Sequence, residues 1–332
     1  LFKLFKQMWN KNCEISPITL KAIIQKKLNV FEGYNQQDSS EFITFLFDKL
    51  ESELKIGYKI RNIRIMTDEI KEFKEEYKKL NQEMNIEKLI EFKNKNIEKL
   101  AINYYLECWD NYLKSNGYSV LCDIFSFSYI NKIECLKCKN VTIRYEIDNM
   151  LKISLDKTDE ELQLENLIKN DCVQIVNLDN DNQYNCDICE ILNNEKKQDA
   201  IKIMEIWNLP EVLIIHLKRF ENEIININGN FIQRTNKINS KVKFPLENLN
   251  LKNLKSKLNT ENVEENYDLY GIIVHYGNPN GGHYISYCKN IINKEWYLYD
   301  DEDVYRVTID EINSINPYML FYKKNFDIEI DI

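Results

Sequence analysis

The sequence predicts an α+β fold, helices first and antiparallel strands after. Three observations carry this. Up to about residue 120, apolar positions recur at helical spacing among Lys and Glu,. Later segments, including 150–155, 209–220, 267–275, 283–288, 296–300 and 318–322, are short apolar or alternating runs separated by polar, Gly and Pro breaks, as strands are,. Between these halves stand two Cys-x-x-Cys pairs, the mark of a small metal-stapled unit,. At 332 residues the chain can bury roughly three quarters of its unfolded surface,.

Composition narrows the function classes. A hydrophobic fraction of 44% with only 8 Gly and 5 Pro describes a folded chain,. The net charge of −9 provides no global field for nucleic acid or an anionic membrane, and suits a basic protein partner,. No apolar run approaches the ~20 residues of a membrane span, and the opening Leu1-Phe2-Lys3-Leu4-Phe5-Lys6 lacks a signal-peptide core,. A cytoplasmic or nuclear monomer is expected. Because the chain opens on Leu, the natural protein is expected to begin upstream.

Residues 1–30 read as helical turns, with Cys13 an inert thiol among charged neighbours,. In Gly33-Tyr34-Asn35-Gln36-Gln37-Asp38-Ser39-Ser40-Glu41, Asp38 and Glu41 have capping-box spacing,. The functional alternative groups them with Gln36 and Gln37 as a polar cluster for a basic ligand. Phe42, Phe45, Leu46, Leu50 and Leu54 then predict one buried helical stripe,. From 57 to about 100, Ile70, Phe73, Tyr77 and Leu80 predict an inserted helical hairpin or short coiled coil whose charges face water,. No chemistry is assigned to it. Cys108 and Cys122 are expected to be core thiols,.

Cys135-Leu136-Lys137-Cys138 and Cys186-Asp187-Ile188-Cys189 offer two pairs of thiolates, enough to close a tetrahedral structural zinc site with no open position,. The run 209–220 reads as a strand buried on both faces, with His216 a hydrogen-bonded structural histidine,. Residues 221–241 are polar and Asn-rich and predict a long surface loop. Next come a strand over 267–275, a turn over 277–282, and strands over 283–288 and 296–300,. Such a meander brings His283 beside Asp300, at the start of one strand and the end of the next. A carboxylate on one ring nitrogen fixes the tautomer that a general base needs. The bland alternative is a turn histidine bonded to backbone. Residues 327–332 are expected to fray.

Together these motifs, in this order, resemble the ubiquitin-specific proteases, papain-like cysteine deubiquitinases built of a helical thumb, an antiparallel β palm and zinc-ribbon-like β fingers. The resemblance rests on residues 33–42, both cysteine pairs, 209–220, 267–287 and 296–304, and spans most of the chain. It implies that His283 is the general base, Asp300 its orienting residue and Asp301 a supporting polar group. Gln36, Gln37, Asp38 and Glu41 would face the basic ubiquitin tail. Gly281 and Gly282 would line the channel for an extended Gly-Gly substrate, where no Cβ may intrude. The turn at 277–282 and part of 221–239 would gate it. Cys135, Cys138, Cys186 and Cys189 would bind structural Zn2+ in the fingers, with no catalytic cofactor. Implied partners are ubiquitin and ubiquitylated proteins.

The family's cysteine box, an Asn followed shortly by the nucleophilic Cys, has no counterpart before Gln36, and Cys13 does not match it. This chain by itself is therefore expected to be inactive in ubiquitin C-terminal hydrolysis. The alternative is a non-catalytic ubiquitin-binding module, against which the retained His283, Asp300 and Gly281-Gly282 weigh. A nucleic-acid-binding zinc ribbon is disfavoured by the negative charge. The implied divisions are 1–57 (thumb with glutamine box), 58–107 (charged helical insertion), 108–205 (start of palm and fingers), 206–325 (palm) and 326–332 (tail).

Overall fold

The computed structural model of the chain describes residues 2–10, 15–28, 31, 33, 37–56, 67–83, 85–227, 230–261, 265–279 and 281–325. Cys13, Gln36 and the end of the chain from 326 fall outside them. Helices come first: α1 (Phe2–Asn10), α2 (Ile18–Lys27), α3 (Ser39–Leu54), α4 (Asp68–Gln82), α5 (Ile86–Lys95), α6 (Ile97–Asn116) and α7 (Val120–Phe125). Asp38, Thr67, Asn85 and Ser119 cap α3, α4, α5 and α7, each side-chain oxygen accepting from a first-turn N–H,. No helix among the described residues is long and apolar enough to cross a membrane.

Two helical expectations change. In α3 the core contact comes from Phe47 and Ile43. Phe42 and Phe45 instead pack edge-on against Phe31, and Leu54 is exposed. A helix wedged between the sheet and the preceding turn uses two faces, which a single-stripe reading cannot anticipate. The charged insertion is three helices, with Ile70 and Phe73 buried and Phe73 stacked on Phe92 and Tyr77. Its charges do not all face water, since Lys93 of α5 is buried. Helix α6 also runs on through residue 107.

The strand half follows: β1 (Phe127–Cys135), β2 (Val141–Asp148), β3 (Leu151–Ser154), β4 (Leu162–Gln163), α8 (Leu164–Cys172), β5 (Gln174–Leu178), β6 (Tyr184–Asn185), α9 (Asp187–Asn193), β7 (Lys197–Gln198) and β8 (Ala200–Asn208). After them come β9 (Val212–Lys218), β10 (Phe220–Ile227), β11 (Asn230–Lys237), β12 (Val242–Lys243), β13 (Leu249–Asn250), β14 (Asn266–Asn278), β15 (Gly281–Lys289), β16 (Trp296–Asp300), β17 (Asp303–Val307), α10 (Ile309–Ser314) and β18 (Met319–Lys324). An eight-stranded sheet runs β17-β16-β15-β14-β18-β9-β3, with β13 added beside β14, and only the β3–β9 pair is parallel. A four-stranded antiparallel sheet runs β2-β1-β8-β5.

The middle of the large sheet is buried on both faces, and its β17 edge is exposed. One face, with Ile285, Tyr287 and Trp296, packs on residues of α8 and α10; the other, with Ile214, Met319 and Tyr284, packs on α3 and α7. As expected, β9 is an inner strand with Leu213, Ile214, Ile215 and Leu217 buried. The surface loop expected over 221–241 is instead the hairpin β10–β11, registered from Phe220↔Lys237 to Ile227↔Asn230. Its Ile224 and Phe231 are three quarters exposed. A ribbon with neither face on the core needs no apolar alternation, so composition concealed it.

Arg219, at the β9–β10 junction, is the polar clamp of this half. It is 2% exposed and donates to Pro317 O (2.6 Å), Ile238 O (3.0 Å), Ser240 O (3.0 Å) and Asn316 Oδ1 (2.5 Å). Four bonds from a charged donor, ~1.5–3 kcal/mol each and less than additive together, set the expected loss in Arg219→Met at about 3–5 kcal/mol. Urea unfolding measures it; a loss below about 1 kcal/mol contradicts the clamp.

Candidate functional site

His283 and Asp300 meet because of strand register. Pairing of β14 with β15 runs through Tyr276↔His283, and pairing of β15 with β16 begins at Ser286↔Tyr299. His283 therefore continues the row of Ile285 and Tyr287, and Asp300 the row of Trp296 and Leu298, on one face where the sheet ends. His283 Nε2 lies 2.6 Å from Asp300 Oδ1. An ionised carboxylate only accepts, so Nε2–H donates and the neutral ring keeps its lone pair on Nδ1. The Asp300 bond holds the imidazole pKa above its ordinary value, with the neighbouring Asp301 charge adding to it. Asp301, at φ 50° in the tight β16–β17 turn, has Oδ2 4.0 Å from Nε2. Both dyad side chains are nearly half exposed, so the free Nδ1 is reachable.

The glycines before His283 act differently from the expectation. A Cβ on Gly282 would lie 2.2 Å from His275 Nε2 and 2.3 Å from Tyr276 O. Close approach of β14 therefore excludes a side chain there, whatever a ligand requires. Gly281 has nothing within 4 Å of its Cβ direction and does leave open space. The turn is also shorter than 277–282: β14 extends to Asn278 and β15 starts at Gly281.

Three aromatic and basic groups that sequence reading left unassigned frame this hairpin. Lys237 Nζ donates to His275 O (2.8 Å) and Gly277 O (3.0 Å) and sits 3.1 Å from His275 Nδ1, which accepts. Burial and that ammonium push the His275 pKa down, so His275 is a neutral strut. Tyr284 packs between His275 and Tyr318. The available signal was register: His275 pairs with Tyr284 one step from Tyr276↔His283.

Asp38 is both helix cap and crosslink. Its Oδ1 accepts from Ser40 N (2.6 Å), Ser40 Oγ (2.7 Å) and Glu41 N (3.4 Å), and its Oδ2 from Tyr318 Oη (2.5 Å). Burial opposes ionisation, yet these bonds prevail and hold its pKa below the ordinary value. Glu41 is exposed and Gln37 half-buried. His216 is half-buried on β9; its buried Nε2 has no hydrogen-bond partner among the described residues, and its ring packs edge-on against Tyr318. Burial pushes its pKa down to about 4. It is neutral, and the expected hydrogen bond on that nitrogen is not seen.

The cysteine pairs form a second site. Cys135 ends β1, Cys138 follows in its turn, Cys186 caps α9 and Cys189 lies in the first turn of that helix. Their four sulfurs lie within 4.8 Å of one another, with Cys135–Cys189 at 3.7 Å and Cys138–Cys186 at 3.6 Å. The S–S edge of a tetrahedron with ~2.3 Å metal–sulfur bonds is about 3.8 Å, so the four sulfurs can hold a metal ion. Three of these cysteines are fully buried. Burial lowers the Lys93 pKa to about 8, against the pull of the Cys138 and Cys186 sulfurs. The other described cysteines, Cys108, Cys122, Cys172 and Cys288, all have thiols pushed up in pKa by burial. Among the described residues, no cysteine sulfur bonds to His283.

This histidine–carboxylate pair on an antiparallel sheet, with a helical layer on one side and a four-cysteine unit, places the chain in a family. The profile of ubiquitin carboxyl-terminal hydrolases matches residues 1–322, and the chain belongs to that family. It is 27% identical over 327 residues to ubiquitin carboxyl-terminal hydrolase 2 of Bos taurus, a match that covers 97% of this chain and 46% of that protein. The chain thus spans about half the length of that relative. Among solved structures, the SAGA Ubp8/Sgf11/Sus1/Sgf73 DUB module bound to ubiquitin aldehyde aligns at TM-score 0.62 and 24% identity, over 93% of this chain and 54% of that one. The module bound to monoubiquitin aligns at TM-score 0.61 and 23% identity, over 93% and 53%. The shared fold is the expected one of helical thumb, antiparallel palm and β fingers that carry the cysteines.

In Asp300→Asn the ring bond loses its charged acceptor, so the His283 pKa is expected to fall toward about 6.5. NMR titration of the ring protons measures this, and an unmoved midpoint contradicts the dyad. The sign follows from linkage: a raised folded-state pKa contributes stability below the free value, lost as pH rises through the folded one.

Proposed function

We propose that this chain is the greater part of a thiol-dependent deubiquitinating domain that hydrolyses the peptide or isopeptide bond after the terminal glycine of ubiquitin. The observation that carries this is the His283–Asp300 bond, which leaves Nδ1 free at the end of the sheet in a chain of this family. In the reaction, Nδ1 takes the proton of a cysteine thiol, the thiolate attacks the glycine carbonyl, and the imidazolium gives its proton to the leaving amine. Water then adds to the thioester with His283 as base, which frees the acid and the thiol. Asp300 holds the ring and balances its positive charge throughout.

No described cysteine bonds to His283 and Cys13 does not match the family's cysteine box, so the 332 residues alone are proposed not to turn over. Exposed Glu41 beside the Asp38 cap, in a chain of net charge −9, suits a basic tail lying along the start of α3. For the four sulfurs we propose zinc as the resident ion: four thiolates at tetrahedral spacing suit it, and the site serves folding and leaves no position for substrate. Free cysteines throughout the described residues fit a reducing compartment, cytoplasm or nucleus,.

In the protein at its natural length, His283→Ala is expected to lower cleavage of a ubiquitin C-terminal fluorogenic amide by about 10²–10⁴-fold and leave ubiquitin binding unchanged. Unaltered turnover refutes the assignment; ubiquitin binding with no wild-type turnover replaces it with a binding role. Chelation, or Cys186→Ser, is expected to lower the thermal unfolding midpoint, because metal binding and folding of the fingers are coupled. The same midpoint with and without chelator refutes the metal.

A further inference from the structure

The charged helical insertion has no place in the chemistry above, yet the end of α5 grips the metal-binding turn. Lys93 is 7% exposed, and its Nζ donates to Asn140 Oδ1 at 2.6 Å. The next residue, Asn94, donates through Nδ2 to Lys139 O at 3.1 Å. Those two acceptors close the Cys135–Cys138 turn: Lys139 N donates to Cys135 O at 3.0 Å, and Cys135 N donates to Asn140 O at 3.1 Å. Lys139 itself sits at φ 59°, so the turn is of a shape that outside bonds help to hold,.

Charge gives the grip a purpose. Four thiolates around a divalent ion carry a net charge of about −2, which burial penalises unless cations face it. Three exposed lysines around the site are already paired with carboxylates: Lys137 with Glu195, Lys139 with Glu134 and Lys196 with Glu190 and Asp187. Lys93 is the buried one, and among the described residues it has no ion pair with a carboxylate. A buried ammonium without an anion is itself unfavourable. The two unfavourable charges cancel if each is the partner of the other, and Cys138 and Cys186 are the groups whose charge bears on Lys93.

We propose that Lys93 is the outer-sphere cation of the four-cysteine site, so that docking of the helical insertion on the fingers and metal binding form one coupled equilibrium. This rests on the zinc reading of that site. Exposed cysteine sites can take charge compensation from water; here a helix of the insertion supplies it.

The test is zinc competition against a chromophoric chelator, with thermal unfolding of the zinc-loaded and metal-free protein. Lys93→Met is expected to weaken zinc binding by about 10–100-fold, and Lys93→Arg, which keeps the charge, to retain most of the affinity. Lys93→Met should lower the midpoint of the zinc-loaded protein yet leave unchanged or raise that of the metal-free protein, where the uncompensated ammonium is gone. Equal lowering of both midpoints means packing alone and overturns the proposal, as does unchanged zinc affinity. Asn94→Ala keeps the buried charge and removes one bond to the turn; it should weaken zinc binding in the same direction, and no effect there overturns the coupling. Lys95→Met, an exposed position on the same helix, is the control and should change neither reading. A wild-type protein that binds no zinc defeats the metal reading itself, whereas zinc bound equally by wild type and Lys93→Met defeats only the role of Lys93.

Discussion

Antiparallel pairing of β14, β15 and β16 is the constraint on which the site depends. Side chains alternate faces along a strand, so His283 shares a face with Ile285 and Tyr287 only in one register. The same holds for Asp300 with Trp296 and Leu298. A slip by one residue in either pair separates base and carboxylate and turns buried Tyr287 or Trp296 to the other side. Burial of those aromatics therefore fixes the geometry of the His283–Asp300 pair as a by-product of packing the core. The close contact of Gly282 with His275 acts in the same sense, because only a glycine at that rung lets the two strands approach.

The helical layer is tied to this sheet through few but directed contacts. Asp38 stands at the start of α3 and receives bonds from its own first turn and from Tyr318, which precedes β18. The carboxylate that satisfies the helix thus also sets where α3 sits relative to the hairpin of His283. Lys237 joins the β10–β11 ribbon to the carbonyls of His275 and Gly277, so an exposed ribbon is linked to the strand that pairs with that of His283. Arg219, next to the Phe220 that pairs with Lys237, fastens the same base of that ribbon. The insertion reaches the fingers in a comparable way, through Lys93 and Asn94 at the end of α5.

Much of this was legible from residues alone. The strands over 267–300 were visible as short apolar runs divided by Gly, Asn and Pro, and their adjacency placed His283 beside Asp300. The cysteine spacing announced a four-sulfur cluster, and the Asp38 cap followed from a short polar side chain ahead of an apolar helix. Less legible were elements whose partners lie far off in sequence or whose faces are not covered. The ribbon β10–β11 hid in polar composition because, beyond Phe220 at its base, neither face is covered by the core. In α3 the stripe led by Phe42 misjudged the inward face, since Phe31 and the sheet claim different sides of one helix.

By itself the sequence determined that helices come first, that the segments around His283 and Asp300 are strands, which residue types could carry proton transfer and metal binding, and the family to which the chain belongs, because these rest on local spacing. The tertiary structure decided the rest: that His283 presents Nδ1 and holds Asp300 on Nε2, that Gly282 answers to His275, that His216 is neutral against Tyr318, and that Lys93 is buried against the Cys135–Cys138 turn. Each of these depends on packing between separate segments, where burial and fixed geometry set a group's charge and the atom it offers. Local spacing holds no record of such contacts.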